Sequence, residues 1–212
     1  VLLTASVVMS QQAGAVTIVK DNSIVDSIPG LTGFATNGAM MDGMSVTATF
    51  SSGFSQTLSW ADTGLTSGGV SGTGWSLSVS GDTFSSGAWS MNTGSLTLTN
   101  LKLDGSTGLT VFDTTFGGLL GTAGSALGAD FSTGTTATYS RAVAIGAANP
   151  VGDIYHVVDV SFLPGGVQGG FRFRQDTDND SRFSNVPEPT ILALLGVGLL
   201  GMTATRRRNN AA

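Results

Sequence analysis

The sequence has no cysteine among its 212 residues. This absence excludes disulfide bonds, thiolate metal ligands and a cysteine nucleophile, so packing must stabilise the fold. Histidine occurs once, as His156, and every Ser-His-Asp or histidine–metal hypothesis depends on that residue. Between residues 16 and 187 glutamate is absent, and thirteen aspartates outnumber six lysines and arginines. The negative balance disfavours nucleic acid as a partner.

Charged residues make up only 11% of the chain, while Gly, Ser and Thr are abundant, which is typical of short strands and tight turns. Residues 44–50 and 54–60 alternate apolar with Ser and Thr side chains, and residues 51–53 (SSG) form a hairpin connection between them. We expect this strand pair to bury Met44, Val46, Phe50, Leu58 and Trp60.

Further strands are predicted at 16–20, 75–80, 95–103, 109–112, 136–145, 153–162 and 170–174, with a bulge near Asn100. The strand at 153–162 carries His156 and should be central. No amphipathic helix and no repeat of fixed period is present. The sequence therefore predicts an all-β domain over residues 16–175, an antiparallel β-sandwich of jelly-roll type.

The first residues read as the end of a secretory signal peptide. Residues 1–9 are apolar, and the small residues Ala13 and Ala15 flank Gly14 in the pattern that signal peptidase cleaves. We expect residues 1–15 to be this remnant, with cleavage after Ala15. The alternative is a buried first strand.

The last part of the chain combines three features. Residues 190–205 (TILALLGVGLLGMTAT) contain no ionisable side chain, so a helix there satisfies its backbone in a bilayer. Sixteen residues reach about 24 Å, just short of the ~30 Å hydrocarbon core. Three arginines follow and stay on the cytoplasmic side, which places the preceding domain outside. The alternatives are an ordinary tail anchor and a buried core helix.

The order of VPEP, short apolar helix and terminal arginines resembles the PEP-CTERM sorting signal of Gram-negative bacteria, here residues 186–212. The resemblance implies recognition by an exosortase, a membrane protease or transpeptidase that cuts near the motif. It also implies a sorting motif and a stop signal, formed by Val186, Pro187, Glu188 and Pro189 and by Arg206, Arg207 and Arg208. Such tails also carry the label of an ice-binding protein C-terminal domain, which describes the tail and no activity. Segments 110–113, 121–131 and 171–180 loosely resemble other β-rich PEP-CTERM proteins, a group without a settled activity.

Candidate chemistry in the domain is sparse. His156 lies among Val and Ile with Asp153 and Asp159 nearby in sequence, and a lone histidine in an apolar strand is more often a core residue than a catalyst. Other aspartates, such as Asp62 and Asp82, fall in predicted turns rather than in facing pairs. We therefore expect no enzymatic activity.

Asp176, Asp178 and Asp180 have the i, i+2, i+4 spacing that opens a calcium loop. The sixth and twelfth positions of such a loop hold Ser181 and Pro187 instead of Gly and Glu, so the calcium hypothesis is weak. The alternative is a solvated, Asp-rich linker at 176–185. Threonine pairs that an ice-binding surface would need are ordinary on exposed strand faces.

The expected function is that of an exported protein, anchored transiently in the inner membrane and then placed on the surface or outside the cell. There it would act as a structural or adhesive module in biofilm or exopolysaccharide, with exosortase as its processing partner and no cofactor. The alternative is a secreted hydrolase acting on matrix polysaccharide, which would need an exposed cleft with His156 and two convergent carboxylates.

Overall fold

The computed structural model describes residues 16–32, 36–85, 87–114, 128–131, 135–146, 149–150, 152–162 and 164–180. In these ranges the chain forms strands and two short 3₁₀ helices, Gly38–Met41 and Gly105–Thr107, and no α-helix. The strands are β1 (Thr17–Lys20), β2 (Val25–Ile28), β3 (Leu31–Thr32), β4 (Ser45–Phe50), β5 (Ser55–Ser59), β6 (Ala61–Gly64), β7 (Ser67–Gly72), β8 (Trp75–Ser80), β9 (Trp89–Asp104), β10 (Thr110–Asp113), β11 (Ala129–Asp130), β12 (Thr135–Ile145), β13 (Ile154–Phe162), β14 (Val167–Gln175) and β15 (Thr177–Asp180). The all-β prediction is confirmed.

Within the described ranges no helix has the length and apolarity to cross a bilayer. The chain divides into two compact units, Val1–Arg182 and Phe183–Ala212. The helix predicted at 190–205 lies in the second unit and outside the described residues, as do residues 1–15.

All strands join one hydrogen-bonded sheet, whose longest path is β3-β15-β10-β13-β9-β8-β7-β6. Most pairs are antiparallel, but β1 and β2 both run parallel to β12. The predicted antiparallel arrangement therefore holds for most of the sheet but not for β1 and β2. The period-two pattern fixes which side chains share a face, but it does not fix the direction of the neighbouring strand.

Strand β9 changes partners along its 16 residues. Its first half pairs with β8 and β14, and its second half pairs with β4 and β13. The pairing with β4 jumps from Asn100 to Leu98, which leaves Thr99 as an extra residue. The bulge predicted near Asn100 is therefore found one residue earlier.

One apolar core unites the two ends of the sheet. Phe50 of β4 packs on Trp75 of β8, with 6.3 Å between ring centroids, although these strands are not hydrogen-bonded to each other. Trp60 and Trp89 lie 5.6 Å apart in the same core. The sheet therefore folds over itself, with its apolar side inside.

The hairpin of β4 and β5 is confirmed. The two strands pair from Ser45 opposite Ser59 to Thr49 opposite Ser55. The residues expected inside are all in the core or against it, with Leu58 partly buried and the others fully buried: Met44, Val46, Phe50 and Trp60. The serines and threonines between them lie on the opposite face and are exposed or half-buried.

The linker prediction at 176–185 is wrong for its first half. Strand β15 pairs with β10 and β3, and each of its four residues is buried. The sheet supplies the hydrogen bonds that water would give a linker, because the Asp180 N–H donates to the Leu109 carbonyl at 2.8 Å. Residues 181–185 lie outside the described residues.

Truncating the core tests this packing. Leu103 of β9 is fully buried, so Leu103→Ala should lower the free energy of unfolding by about 2–5 kcal/mol. Leu65 is 98% exposed, and Leu65→Ala should change the free energy of unfolding by less than about 0.5 kcal/mol. Denaturant unfolding of the three purified proteins gives both values. Equal effects of the two substitutions would contradict the assignment of β9 to the core.

Candidate functional site

The single histidine is buried in the middle of the sheet. His156 lies on β13, which pairs with β12 on one side and with β9 and β10 on the other, so the expected central position is confirmed. Its side chain is 2% exposed, and its Nδ1 lies 2.6 Å from Oδ2 of Asp26 on β2. A carboxylate only accepts hydrogen bonds, so Nδ1 carries the proton and donates it.

Arg141 of β12 completes the contacts of Asp26. Its Nε and Nη2 lie 2.9 and 3.1 Å from the two carboxylate oxygens, a bidentate pair. Its Nη1 donates to Ser106 Oγ at 2.8 Å, and that hydroxyl donates to Asp104 Oδ1 at 2.5 Å. Burial raises the pKa of Asp26, but the hydrogen bonds from His156 and Arg141 outweigh it, so this pKa lies below its usual value.

A local reversal of the backbone brings these groups together. Arg141 has φ +58°, an uncommon conformation for a residue other than glycine. Tyr139 and Ala142 are three residues apart on β12 and would face opposite sides of a regular strand, yet both lie in the main core. Val143 packs in a second, smaller cluster with Ile28, Val111 and Ile154. The strand therefore turns over at Arg141 and places the arginine beside Asp26.

The arrangement does not form a catalytic triad within the described residues. Ser106, the hydroxyl of this network, contacts Arg141 rather than the histidine. The other ring nitrogen of His156, Nε2, is buried and has no hydrogen-bond partner in the described part of the chain. Asp159, a sequence neighbour, hydrogen-bonds Asn100 instead. The imidazole of His156 is 2% exposed, so it lies inside the fold rather than at the surface.

The sequence analysis missed Asp26 as the partner of His156. The two residues are 130 positions apart, and Asp26 reaches the histidine because β2 pairs in parallel with β12, opposite Val143. No local sequence pattern predicts a contact between residues so far apart in the chain. The one local signal was an aspartate between Val25 and Ile28 in a short segment with the composition of a strand, Val25-Asp26-Ser27-Ile28.

Of the three aspartates with calcium-like spacing, Asp178 and Asp180 lie on β15 and Asp176 directly precedes it. Asp176, Asp178 and Asp180 are 4%, 1% and 0% exposed. Alternate residues of a strand are about 6.6 Å apart, so their carboxylates do not converge on one cation. Among the described residues, no group of three or more His, Cys, Asp and Glu side chains could hold a metal ion. The calcium hypothesis therefore finds no support in the described structure.

Asp178 is an unusual buried carboxyl group. It faces Val111 across the β10–β15 ladder, and its Oδ2 has no hydrogen-bond partner among the described residues. Burial, with the nearby carboxylates of Asp176 and Asp153, raises the pKa of Asp178 to about 7 from 3.8. The folded protein therefore holds this group protonated in mildly acidic solution, whereas the unfolded chain ionises it.

The predicted sorting and cleavage residues lie outside the described residues. These are the cleavage positions Ala13 and Ala15, the motif Val186, Pro187, Glu188 and Pro189, and the basic cluster Arg206, Arg207 and Arg208. The roles assigned to these residues are inferred from the sequence.

Asp178 predicts a pH dependence of stability. Between about pH 4 and pH 7 the folded state binds one proton more than the unfolded state at this group, so rising pH lowers the free energy of unfolding. The slope from this group is at most about 1.4 kcal/mol per pH unit. Asp178→Asn is neutral at every pH and should lack the slope.

Urea unfolding of both proteins across this pH range measures the difference. The variant should be more stable above pH 7, and the two curves should converge toward pH 4, which provides the internal control. A variant that is less stable than the original protein at pH 8 would show that the ionised carboxylate has a stabilising partner.

Comparison with known proteins identifies only the tail. No curated protein and no solved structure is significantly similar to the chain. Residues 185–208 match the PEP-CTERM protein-sorting motif, in agreement with the tail features above. The chain therefore carries a PEP-CTERM sorting signal, which marks a protein for export, transient anchoring in the membrane and processing by an exosortase.

Proposed function

We propose that the protein is a non-enzymatic module of the cell surface or extracellular matrix, released from its membrane anchor by an exosortase and acting structurally or adhesively in biofilm or exopolysaccharide. The observation that carries this proposal is the sorting motif at residues 185–208. A sorting signal of this kind has a use only if the preceding domain acts outside the cytoplasm.

The β-domain is compatible with such a role. We infer that the folded-over sheet is a sandwich of jelly-roll type, an architecture that places loops and sheet faces rather than deep clefts on the surface. A general base must reach its substrate, and His156 is 2% exposed with Nδ1 engaged by Asp26. The burial of this residue favours the binding module over the hydrolase.

The tail divides the sorting task among three chemically distinct parts. In this proposal the uncharged segment 190–205 anchors the precursor in the bilayer, and the arginines hold the terminus on the cytoplasmic side. Pro187 and Pro189 fix φ and remove two backbone donors, so the motif stays extended for the cleft of the processing enzyme. Each part can therefore be removed separately.

The proline pair tests recognition. Pro187→Ala with Pro189→Ala leaves the apolar segment and the arginines intact, so this variant should accumulate uncut in the membrane fraction. The unaltered protein should be recovered at the surface or in the medium without residues from Thr190 onward. Fractionation with intact-mass measurement in the native host distinguishes the two forms. A mature protein that retains Arg206–Arg208 would contradict exosortase processing.

The arginines test retention. Replacing Arg206, Arg207 and Arg208 by glutamine removes the cytoplasmic stop while VPEP stays unchanged, so precursor should slip through the membrane or mislocalise. Lysine at the same three positions is the matched control, because it preserves the charge and should restore normal fractionation. Equal localisation of the glutamine and lysine variants would show that the positive charge has no role.

A further inference from the structure

The outer side of the sheet carries a polar surface across β7, β8, β9 and β14, which we call the serine face. It is formed by Ser71, Ser76, Ser78, Ser90 and Asn92, together with Gly170 and Arg172 on β14. These residues alternate with buried ones, because Trp75, Leu77 and Val79 of β8 point into the core. All five Ser and Asn residues are exposed or half-buried.

The polar side chains stand in register across the strands. One row runs Ser71, Ser76, Asn92, Gly170, and the next runs Gly69, Ser78, Ser90, Arg172. Directly opposed residues of paired strands project on the same side of the sheet. Three strand-to-strand steps of ~4.8 Å give these rows a length of about 14 Å. The serine face is therefore long enough for an extended chain molecule.

Glycine residues, which have no side chain, help to line two cavities in this surface. A cavity of ≈ 520 Å³ is lined by Ser90, Met91, Asn92, Gly170, Phe171 and Arg172. A second, of ≈ 240 Å³, is lined by Ser71, Gly72, Gly74, Trp75, Ser76, Asn92 and Gly94. Asn92 lines both, so the two cavities lie next to each other on the serine face, and together we call them the groove. The first volume lies in the range of sites that bind small molecules.

The groove has a positive side chain and no acidic one. Arg172 is exposed, and its Nη1 donates to the Gly87 carbonyl at 3.2 Å. In the described part of the chain no carboxylate forms an ion pair with Arg172, and no Asp or Glu lines either cavity. A guanidinium has five N–H donors in a planar fork that fits a carboxylate. The groove can therefore accept one anionic group in an otherwise hydroxyl-lined surface.

The chemistry excludes other classes of partner. A protein partner usually needs an apolar centre with large anchoring side chains, whereas the groove presents small hydroxyl and amide groups. Proteins that bind single-stranded nucleic acid usually present exposed aromatic rings on which the bases stack, whereas the outward side chains of the serine face are Ser, Asn and Arg. A chain of hydroxylated sugar units satisfies both the hydrogen-bonding groups and the shape.

We propose that the serine face binds a uronate-containing polysaccharide, with Ser76, Ser78, Ser90 and Asn92 hydrogen-bonding the sugar hydroxyls and Arg172 binding one uronate carboxylate. This inference rests on the proposed extracellular function and names the polymer class that the module holds. Alginate supplies a uronate polymer, and dextran supplies a neutral polymer as the comparison.

Filling the groove provides the test. A Cβ at Gly170 would meet only the Met91 carbonyl, at 3.9 Å, so Gly170→Phe can be accommodated and should occupy the larger cavity. A Cβ at Gly64 on the edge strand β6 would meet only Ser67 Cβ, also at 3.9 Å, so Gly64→Phe is the matched control. Thermal unfolding of both variants establishes that they fold.

The exported protein, purified from its host, should bind immobilised alginate and not dextran. Gly170→Phe should weaken alginate binding about tenfold or more, while Gly64→Phe should bind like the original protein. Arg172→Gln changes only an exposed side chain and should reduce binding about tenfold, with a weaker salt dependence.

Three results would overturn the proposal: no binding to alginate, equal binding to dextran, or full binding by Gly170→Phe. Each of them leaves the sorting proposal standing, because tail processing is measured separately by mass. Conversely, loss of processing would not alter the binding of the purified domain.

Discussion

The whole structure depends on β9, whose two halves belong to different parts of the sheet. Leu98, Leu101 and Leu103 lie in the same core as Trp89 and Met91, although their strand neighbours differ. The bulge at Thr99 separates the halves and lets the strand bend between them. Apart from this continuous strand, β6–β8 are joined to β4 and β5 by packing and by a few hydrogen bonds, such as those that the Thr73 N–H and the Trp75 Nε1 donate to Gln56 Oε1, both at 3.0 Å. A chain without cysteine has no covalent alternative.

The tryptophan indole groups show how tightly distant segments of the sheet pack against each other. Trp60 donates from Nε1 to the Gly38 carbonyl at 2.8 Å, and Trp89 donates to the Gln175 carbonyl at 3.0 Å. A Cβ at Gly68 would lie 2.3 Å from the Trp60 Nε1, so only glycine fits there. Large aromatic groups with satisfied N–H donors give a small-residue sequence the buried area it otherwise lacks.

The aspartates Asp26 and Asp178 are held in opposite charge states by their surroundings. Asp26, whose side chain is 22% exposed, is paired with Arg141 and His156, and removing one partner leaves its partly buried charge less compensated. Asp178 is surrounded by other carboxylates, and its raised pKa makes the neutral form the stable one inside the fold. Aspartate therefore occurs once as a partly buried, paired anion and once as a buried, protonated acid. The side chains that the fold places next to each aspartate determine its charge state.

The sequence alone determined the hairpin of β4 and β5, the central position of His156 and the sorting tail, because each rests on periodicity, turn residues or a contiguous motif. Contacts between distant segments were decided by the tertiary structure. The parallel pairing of β2 with β12 brought Asp26 to His156, and the ladder with β10 turned an apparent Asp-rich linker into β15. Likewise, Ser90 and Arg172 are 82 positions apart and meet only through strand register. Alternation specifies faces, whereas the choice of partner strand depends on the packing of the entire core.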